Sequence, residues 1–295
     1  MPDPKPILPI HQAYRQHTRK WRENTYCYPV ISRRSKGLSI GVNLNPDKAC
    51  NFDCIYCQVD RRTPGPTRIV EISAIGSELN DLLDLVADQT LFADGPFDAL
   101  PVEQRIVRDI AFSGDGEPTT YPKFDEAVEL VAQTKRRRGL DAVKIVLITD
   151  ACYLKKPVVQ RGLAIMDENN GEIWAKLDAG TEEYYRLVNR PNYPLAHVIE
   201  NIVDAAKVRP IVIQSLWMNV HGQPPPNAEV LAFCDRLDEI VKAGGKIKLV
   251  QVYTIARQTA EPYATVLKAD ALNQIAATVS ERTGLAVETF GGVEQ

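Results

Sequence analysis

The stretch GLSIGVNLNPDKACNFDCIYC, residues 37–57, carries both the strand pattern and the cysteine spacing on which the architecture turns. Residues 37–44, GLSIGVNL, form an almost continuous apolar run of strand length. Such a run suits a parallel strand covered by helices, because a strand with one wet face would alternate. The loop that follows places Cys50, Cys54 and Cys57, three of the six cysteines, within eight positions. Three thiols so close together are soft ligands for iron and sulfur or for zinc. A closed zinc site needs a fourth ligand, usually from a second pair, and the nearest other Cys or His is Cys27. A cubane cluster on three cysteines would instead leave one iron open to a small molecule.

Comparable runs recur downstream: RIVRDIAFSG (105–114), AVKIVLITD (142–150), EIWAKLDA (172–179), IVIQSLWMNV (211–220), KIKLVQVYTI (246–255) and the short LAVETF (285–290). Between them lie helix patterns such as SELNDLLDLVADQ, KFDEAVELVAQTKRRRG and KADALNQIAATVSERTG, with apolar residues spaced three and four apart. Several end on Gly, which tolerates the left-handed stop of a helix. The alternation predicts an α/β chain folded as a partial or near-complete (β/α) TIM-like barrel, with a doubly wound open sheet as the alternative. Residues 1–36 do not share the repeat and are expected to form an N-terminal extension laid across a core domain of residues 37–295. In that extension Lys5, Arg15, Arg19, Lys20, Arg22, Arg33, Arg34 and Lys36 oppose only Asp3 and Glu23.

With 295 residues, 44% of them hydrophobic, the chain is long enough for a sizeable core, and its formal charge of −3 offers no overall basic field to nucleic acid or membrane. No apolar run approaches the roughly 18 residues of a membrane span, and MPDPKPILPIHQAYRQ lacks the apolar centre of a secretion signal. Crowded cysteines in a chain too large to need stapling point to a reducing cytoplasm.

In a β/α barrel the loops after the strands build a single rim. On this chain the rim would gather the cysteine loop, GDGEPT (114–119), Asp150 and Cys152, Lys176 and Asp178 with the Asn-Arg-Pro of 189–191, Asn219 and His221, and Tyr253 and Arg257. Reduced core thiols and a zinc knob are the plain alternatives for the cysteines, and a solvated loop carboxylate is the plain alternative for Glu117.

CNFDCIYC resembles the CxxxCxxC motif of the radical S-adenosylmethionine (SAM) superfamily, with Tyr56 just before the third cysteine, and GDGEP resembles its GGEP motif. The resemblance covers roughly residues 37–290. It implies that Cys50, Cys54 and Cys57 bind one four-iron, four-sulfur cluster whose open iron takes the amino nitrogen and carboxylate of SAM. One electron then splits SAM into methionine and a 5′-deoxyadenosyl radical that abstracts hydrogen from substrate. It also implies that backbone at Gly114 and Gly116 approaches the methionine moiety, that Glu117 receives its ammonium group, and that Tyr56 meets the adenine. Lys176 and Asp178 are candidates for the SAM carboxylate and ribose, a plain internal Lys–Asp pair being the alternative. Gln214, Gln251 and Tyr253 are candidates for the barrel interior, subject to the alternation of strand faces. Cys152 is a candidate thiol near substrate, a buried inert cysteine being the alternative. Cys152 and Lys176 are the groups expected to act on the substrate.

Within the superfamily, the segments FSGDGEPTTYP, AKLDAGTEEYYRLVNRP and VQVYTIAR look most like the branch containing the wyosine synthetases, which build the tricyclic base of phenylalanine tRNA from methylguanosine and pyruvate. Gln58 stands where those synthetases resemble CWR, and no upstream cysteine set offers a second cluster, so the resemblance is to a bacterial-type relative. The implied partners are tRNA and an electron donor such as flavodoxin or ferredoxin. A small metabolite or a peptide is the alternative substrate, with His221, Arg190 and Arg257 to grip it. A noncatalytic iron–sulfur or metal-binding protein is the alternative from another class. The basic extension is the leading RNA-binding candidate. TKRRRG (134–139), at a helix C-terminus where positive charge is already favourable, is expected on the rim opposite the cysteines, as are Arg33, Arg34 and Lys36.

Overall fold

The computed structural model of the chain describes residue 10, residues 19–93 and residues 95–292. Asp3, Lys5 and Arg15 of the basic extension lie outside the described residues. Ten strands are present among the described residues: β1 (Cys27–Ser32), β2 (Gly37–Val42), β3 (Val107–Phe112), β4 (Lys144–Thr149), β5 (Gly171–Lys176), β6 (Ile211–Leu216), β7 (Met218–Val220), β8 (Ile247–Tyr253), β9 (Ala264–Val266) and β10 (Val287–Phe290). The helices are α1 (Ile72–Ala87), α2 (Phe124–Arg137), α3 (Pro157–Glu168), α4 (Glu182–Asn189), α5 (Leu195–Val208), α6 (Asn227–Lys242) and α7 (Ala269–Thr283).

Eight strands form one sheet in the order β1, β2, β3, β4, β5, β6, β8, β10. All neighbours are parallel except β1 and β2, an antiparallel hairpin in which Cys27 faces Val42 and Ser32 faces Gly37. The order follows the chain without turning back, whereas a doubly wound sheet reverses at a switch point. The sheet curls into a partial barrel with its helices outside, as the run of β/α units predicts. β7 and β9 pair separately as a small antiparallel ribbon.

All seven expected strands are found, with one change. The run 211–220 divides at Trp217, whose fully buried side chain separates β6 from β7 and whose backbone N–H donates to the Tyr253 carbonyl. β1, β9 and α4 were not expected. β1 carries Pro29, which removes a ladder donor, and it occupies the position where that costs least, the edge of the sheet.

Alternation along the strands separates two faces. Ile40, Val42, Ile110, Phe112, Ile145, Leu147, Ile173 and Ile213 point outward and pack with Leu79, Phe124, Val128 and Leu163 of the helices. Each such fully buried side chain contributes roughly 1.5–3 kcal/mol. The inner face holds a smaller apolar cluster of Ala111, Val146, Trp174 and Val212, surrounded by polar groups. At the lower end Glu172 accepts from Trp174 Nε1 at 2.7 Å and from Lys248 and Lys144 at 2.6 and 3.2 Å, so this inward carboxylate is paired. No helix among the described residues is long and apolar enough to cross a membrane.

Candidate active site

Three loops hold the cysteine loop from different sides by backbone hydrogen bonds. Glu117 N–H donates to the Ala49 carbonyl at 2.9 Å from the loop after β3. Asp53 and Ile55 N–H donate to the carbonyls of Asn189 and Val188, at the end of α4. Ala260 and Glu261 N–H donate to the carbonyls of Cys57 and Ile55 from the segment after β8. A loop without regular secondary structure is thereby fixed by its neighbours on the rim. Gly116 is required for this packing, since a Cβ there would stand 2.0 Å from the Ala49 carbonyl oxygen. At Gly114 a Cβ would stand 2.5 Å from Asn43 Oδ1. The close approach at both glycines is therefore one of chain on chain.

Cys50, Cys54 and Cys57 are partly exposed free thiols on one cavity of about 310 Å³ that opens into the barrel. Tyr56, Gly114, Gly116, Glu117, Lys176, Gln214 and Tyr253 share its wall. Burial, reinforced by Asp150, pushes the Cys50 thiol up; burial, reinforced by Asp178, pushes the Cys54 thiol up to about 12. Two donors meet this set: Asn189 Nδ2 is 3.4 Å from Cys54 Sγ and Arg61 Nη2 is 3.8 Å from Cys57 Sγ. Among the described residues no three His, Cys, Asp or Glu side chains are arranged to hold a single metal ion. A cubane spreads its thiolates over separate iron corners, so soft thiols on a shared cavity, with donors behind them, fit a cluster better than one zinc ion.

Asp178 is buried and does not line the cavity. It accepts from Leu216 N–H at 2.8 Å, Lys176 Nζ at 3.0 Å, Asn189 Nδ2 at 2.9 Å and the Tyr56 hydroxyl. It acts as a hub that orients Tyr56 and Lys176 rather than as a group facing the cavity. Burial opposes the charge on Lys176, but Asp178 and Tyr253 outweigh it and hold the ammonium above its ordinary range. Lys176 Nζ donates to the Tyr253 hydroxyl at 2.5 Å and lies 4.9 Å from the centres of both the Tyr56 and Tyr253 rings. Gln214 and Gln251 do face the interior: Gln214 Nε2 donates to Gln251 Oε1 at 2.8 Å, and Gln214 Oε1 is buried with no partner among the described residues.

Glu117 is buried rather than solvated. Its Oε1 accepts from Thr119 N–H, Thr119 Oγ1 and Thr149 Oγ1, and its Oε2 accepts from Asp150 N–H at 2.7 Å. A carboxylate has about four acceptor sites, two on each oxygen, so Oε2 retains the capacity for one more donor. Cys152 is 2% exposed, packs into the main core and does not line the cavity. Burial first, then Asp150, raises its pKa, as for an inert core thiol.

The three rim residues expected to grip an anion separate. Arg190 pairs with Glu261 at 2.8 Å and Asp53 at 3.4 Å, and His221 stacks on Tyr263 with ring centres 4.2 Å apart; neither lines the cavity. Arg257 does line it and donates to Gln58 Oε1 at 2.7 Å. TKRRRG is absorbed into structure, Lys135 donating to the Asn169 carbonyl and Arg138 pairing with Asp84. Arg33 and Arg34 start at the lower end of β2, as expected, and from the β1–β2 turn both line the same cavity as the cysteines, while Lys36 pairs with Glu288 at 3.5 Å. Arg19 reaches the cavity too and lies 3.7 Å from Asp115. Arg61, and the cavity-lining places of Arg19 and Arg34, were not anticipated from the sequence. The Asn-Arg-Pro of 189–191 was expected on the rim, and Asn189 meets the site there from the end of α4.

Residues 44–237 match the sequence profile of the Radical SAM superfamily. The chain belongs to that superfamily, whose members work with SAM and an iron–sulfur cluster. Among curated relatives, a "GTPase Obg" of Brachyspira hyodysenteriae is 24% identical over 81% of this chain and 31% of its own length. A "UPF0026 protein" of Helicobacter pylori is 26% identical over 61% of this chain and 51% of its own. The chain thus spans about half or less of the curated relatives it matches. Similar solved folds include a radical SAM methyltransferase from Sphaerobacter thermophilus, with TM-score 0.62 and 13% identity over 90% of this chain and 69% of that one. TYW1 with a lysine–pyruvate adduct bound gives TM-score 0.54 and 13% identity over 93% of this chain and 82% of that one.

Proposed function

We propose that Cys50, Cys54 and Cys57 hold a single four-iron, four-sulfur cluster, with SAM bound against it in the cavity and the substrate hydrogen taken from within the same space. The observation that carries this reading is the shared wall: all three thiols, Tyr56, Glu117, Lys176 and Gln214 line one cavity. When bound, the cluster and SAM supply a 5′-deoxyadenosyl radical. The chain's own groups bind and orient. Asn189 and Arg61 donate toward the sulfurs of Cys54 and Cys57, which steadies thiolate charge. The second acceptor site of Glu117 Oε2 takes an ammonium donor, and the Lys176 ammonium, fixed by Asp178 and Tyr253, meets a carboxylate or hydroxyl. Tyr56, anchored through its hydroxyl, offers its ring edge and backbone to the adenine.

For the substrate we favour a tRNA base, supported by the branch resemblance in AKLDAGTEEYYRLVNRP and by a fold shared with TYW1. The second reading, a small anionic metabolite, is supported by the arginines on the cavity wall. The setting is a reducing cytoplasm with a flavodoxin or ferredoxin as electron donor, in keeping with six free cysteines among the described residues. Electron paramagnetic resonance of the reduced, reconstituted chain tests the site: one cluster signal, shifted by SAM and lost in Cys50→Ala, is expected. A signal that Cys50→Ala leaves intact refutes it. Deuterium passing from labelled tRNA into 5′-deoxyadenosine supports the tRNA reading, and transfer only from a small acid replaces it.

A further inference from the structure

Among the described residues, one cationic side chain donates to a cysteine sulfur: Arg61 Nη2 lies 3.8 Å from Cys57 Sγ. Its Nη1 donates to the Lys48 carbonyl at 2.6 Å, and Lys48 Nζ in turn donates to the carbonyls of Asp60 and Thr63, on either side of Arg61. The two ends of the cysteine loop are thereby tied to each other. The guanidinium is held half-buried on the cavity wall, where a free arginine would extend into water. Its Nε–H is also buried and has no partner among the described residues. Burial opposes the Arg61 charge, but Cys57, Cys50 and Cys54 outweigh it and hold the guanidinium above its ordinary range. All three thiols are thus within electrostatic reach of this one side chain.

The other two thiols have neighbours of a different kind. After burial, Asp150 and Glu117 oppose negative charge at Cys50, and Asp178 opposes it at Cys54. Lys176, the cation near Cys54, is bound to Asp178 at 3.0 Å and to the Tyr253 hydroxyl. Asn189, which donates to Cys54 Sγ at 3.4 Å, is neutral. Positive charge in contact with the sulfurs therefore comes from the Cys57 side.

The reduction potential of an iron–sulfur centre follows its net charge, the hydrogen bonds to its sulfurs and its exposure to solvent. Reduction at the site moves one electron from a low-potential donor, of the ferredoxin or flavodoxin class, and adds one negative charge among the sulfurs. The donor is oxidised by one electron, and no bond forms or breaks. A fixed cation beside the sulfurs favours the more negative state, and a half-buried one does so more strongly than a cation in water.

We propose that Arg61 sets the reduction potential of the three-cysteine site, its loop-held guanidinium stabilising the reduced state and bringing it within reach of a protein electron donor. The inference rests on the cluster proposed above and concerns what this chain adds to it. Arg61 is a positioning residue: it acts through the sulfurs and has no part in splitting SAM.

Potentiometric titration of the full reconstituted chain without SAM, followed by electron paramagnetic resonance of the reduced form, tests the proposal. Arg61→Gln is expected to lower the midpoint so that, at a fixed potential, the ratio of reduced to oxidised centres falls about tenfold, or ~59 mV for one electron. Arg61→Lys, which keeps the charge, should recover at least half of that shift. Arg62→Gln, which removes an exposed charge from the next position, should leave the midpoint where it is. Iron content and thermal unfolding are read on every variant, and if Arg61→Gln holds no iron, Arg61→Met takes its place under the same expectation. An unchanged midpoint in the neutral variant overturns the proposal, as does an equal shift in Arg62→Gln. A midpoint in Arg61→Lys as low as in Arg61→Gln overturns it too, because charge would then not be the cause. Loss of iron from both neutral variants would make Arg61 a clamp of the loop and nothing more. Weaker SAM binding by Arg61→Gln with no change of midpoint would place Arg61 against SAM instead. A parent chain that forms no cluster removes the function proposed above and this inference with it, whereas a parent with a cluster that forms no 5′-deoxyadenosine refutes the radical reading and leaves the comparison of midpoints standing.

Discussion

The two faces of the curled sheet differ strand by strand. β3 turns Ile110 and Phe112 to the helices and Asp109 and Ala111 inward; β5 turns Ile173 and Ala175 outward and Glu172, Trp174 and Lys176 inward. The outer face asks only for apolar volume of the right shape, so many sequences satisfy it. The inner face asks for particular groups, because each buried polar atom must find its partner. Asp178 with its four donors, Glu117 with its four and Glu172 between two lysines are the result. The outer face makes the barrel, and the inner face makes the site.

Substitutions on the two faces should therefore fail differently. Phe124 on α2 is fully buried and meets Phe112 edge-on with ring centres 5.6 Å apart, so Phe124→Ala should cost about 3–5 kcal/mol in denaturant unfolding, by transfer and cavity terms together. SAM affinity measured on the fraction still folded should stay as it was. Asp178→Asn leaves Lys176 as a buried charge without its carboxylate, at a cost of about 3 kcal/mol. Here SAM affinity should fall with stability, and an unchanged affinity would show that the hub does not govern the site.

Acid titration sharpens the contrast further. Burial alone would raise the Glu172 carboxyl, but Lys248, Trp174 and Lys144 outweigh it and hold it below its ordinary 4.5. Because the folded value is depressed, the stability it lends is present above the unfolded value and is lost as pH falls through the folded one. Glu172→Gln should therefore flatten the acid-side loss of stability, by about 1 kcal/mol, in unfolding followed from neutral pH downward. The smallest effect belongs to the rim. Arg190→Ala removes exposed pairs with Glu261 and Asp53, and should change unfolding by no more than about 1 kcal/mol without altering SAM binding.

The outer face was legible in the sequence, because apolar runs and three-and-four spacing are local signals. β1 was not: its CYPVIS contains a proline, and only pairing with β2 makes it a strand. The octet CNFDCIYC announced three crowded thiols by spacing alone, and the fold brings all three to one cavity. Arg34 could not declare its place, since stacking on Trp174 and Tyr253 joins residues about 140 and 219 positions away, brought close only by the curl of the sheet. Position relative to a strand told only part: Arg33 and Arg34 precede β2 at its lower end, as read, but their long side chains also line the interior cavity. Asn189 was placed on the rim, but its partners were hidden for a similar reason. Its contacts with Cys54, Tyr56 and Asp178 exist because short α4 ends beneath the cysteine loop.

The central claim is that the inner face and its three thiols split SAM. The direct measurement is formation of 5′-deoxyadenosine and methionine by the anaerobically reconstituted, reduced chain, run beside Cys54→Ala. The account predicts both products from the parent chain and neither above background from Cys54→Ala; a fully iron-loaded parent that forms no 5′-deoxyadenosine, or a Cys54→Ala chain that still forms it, would contradict it.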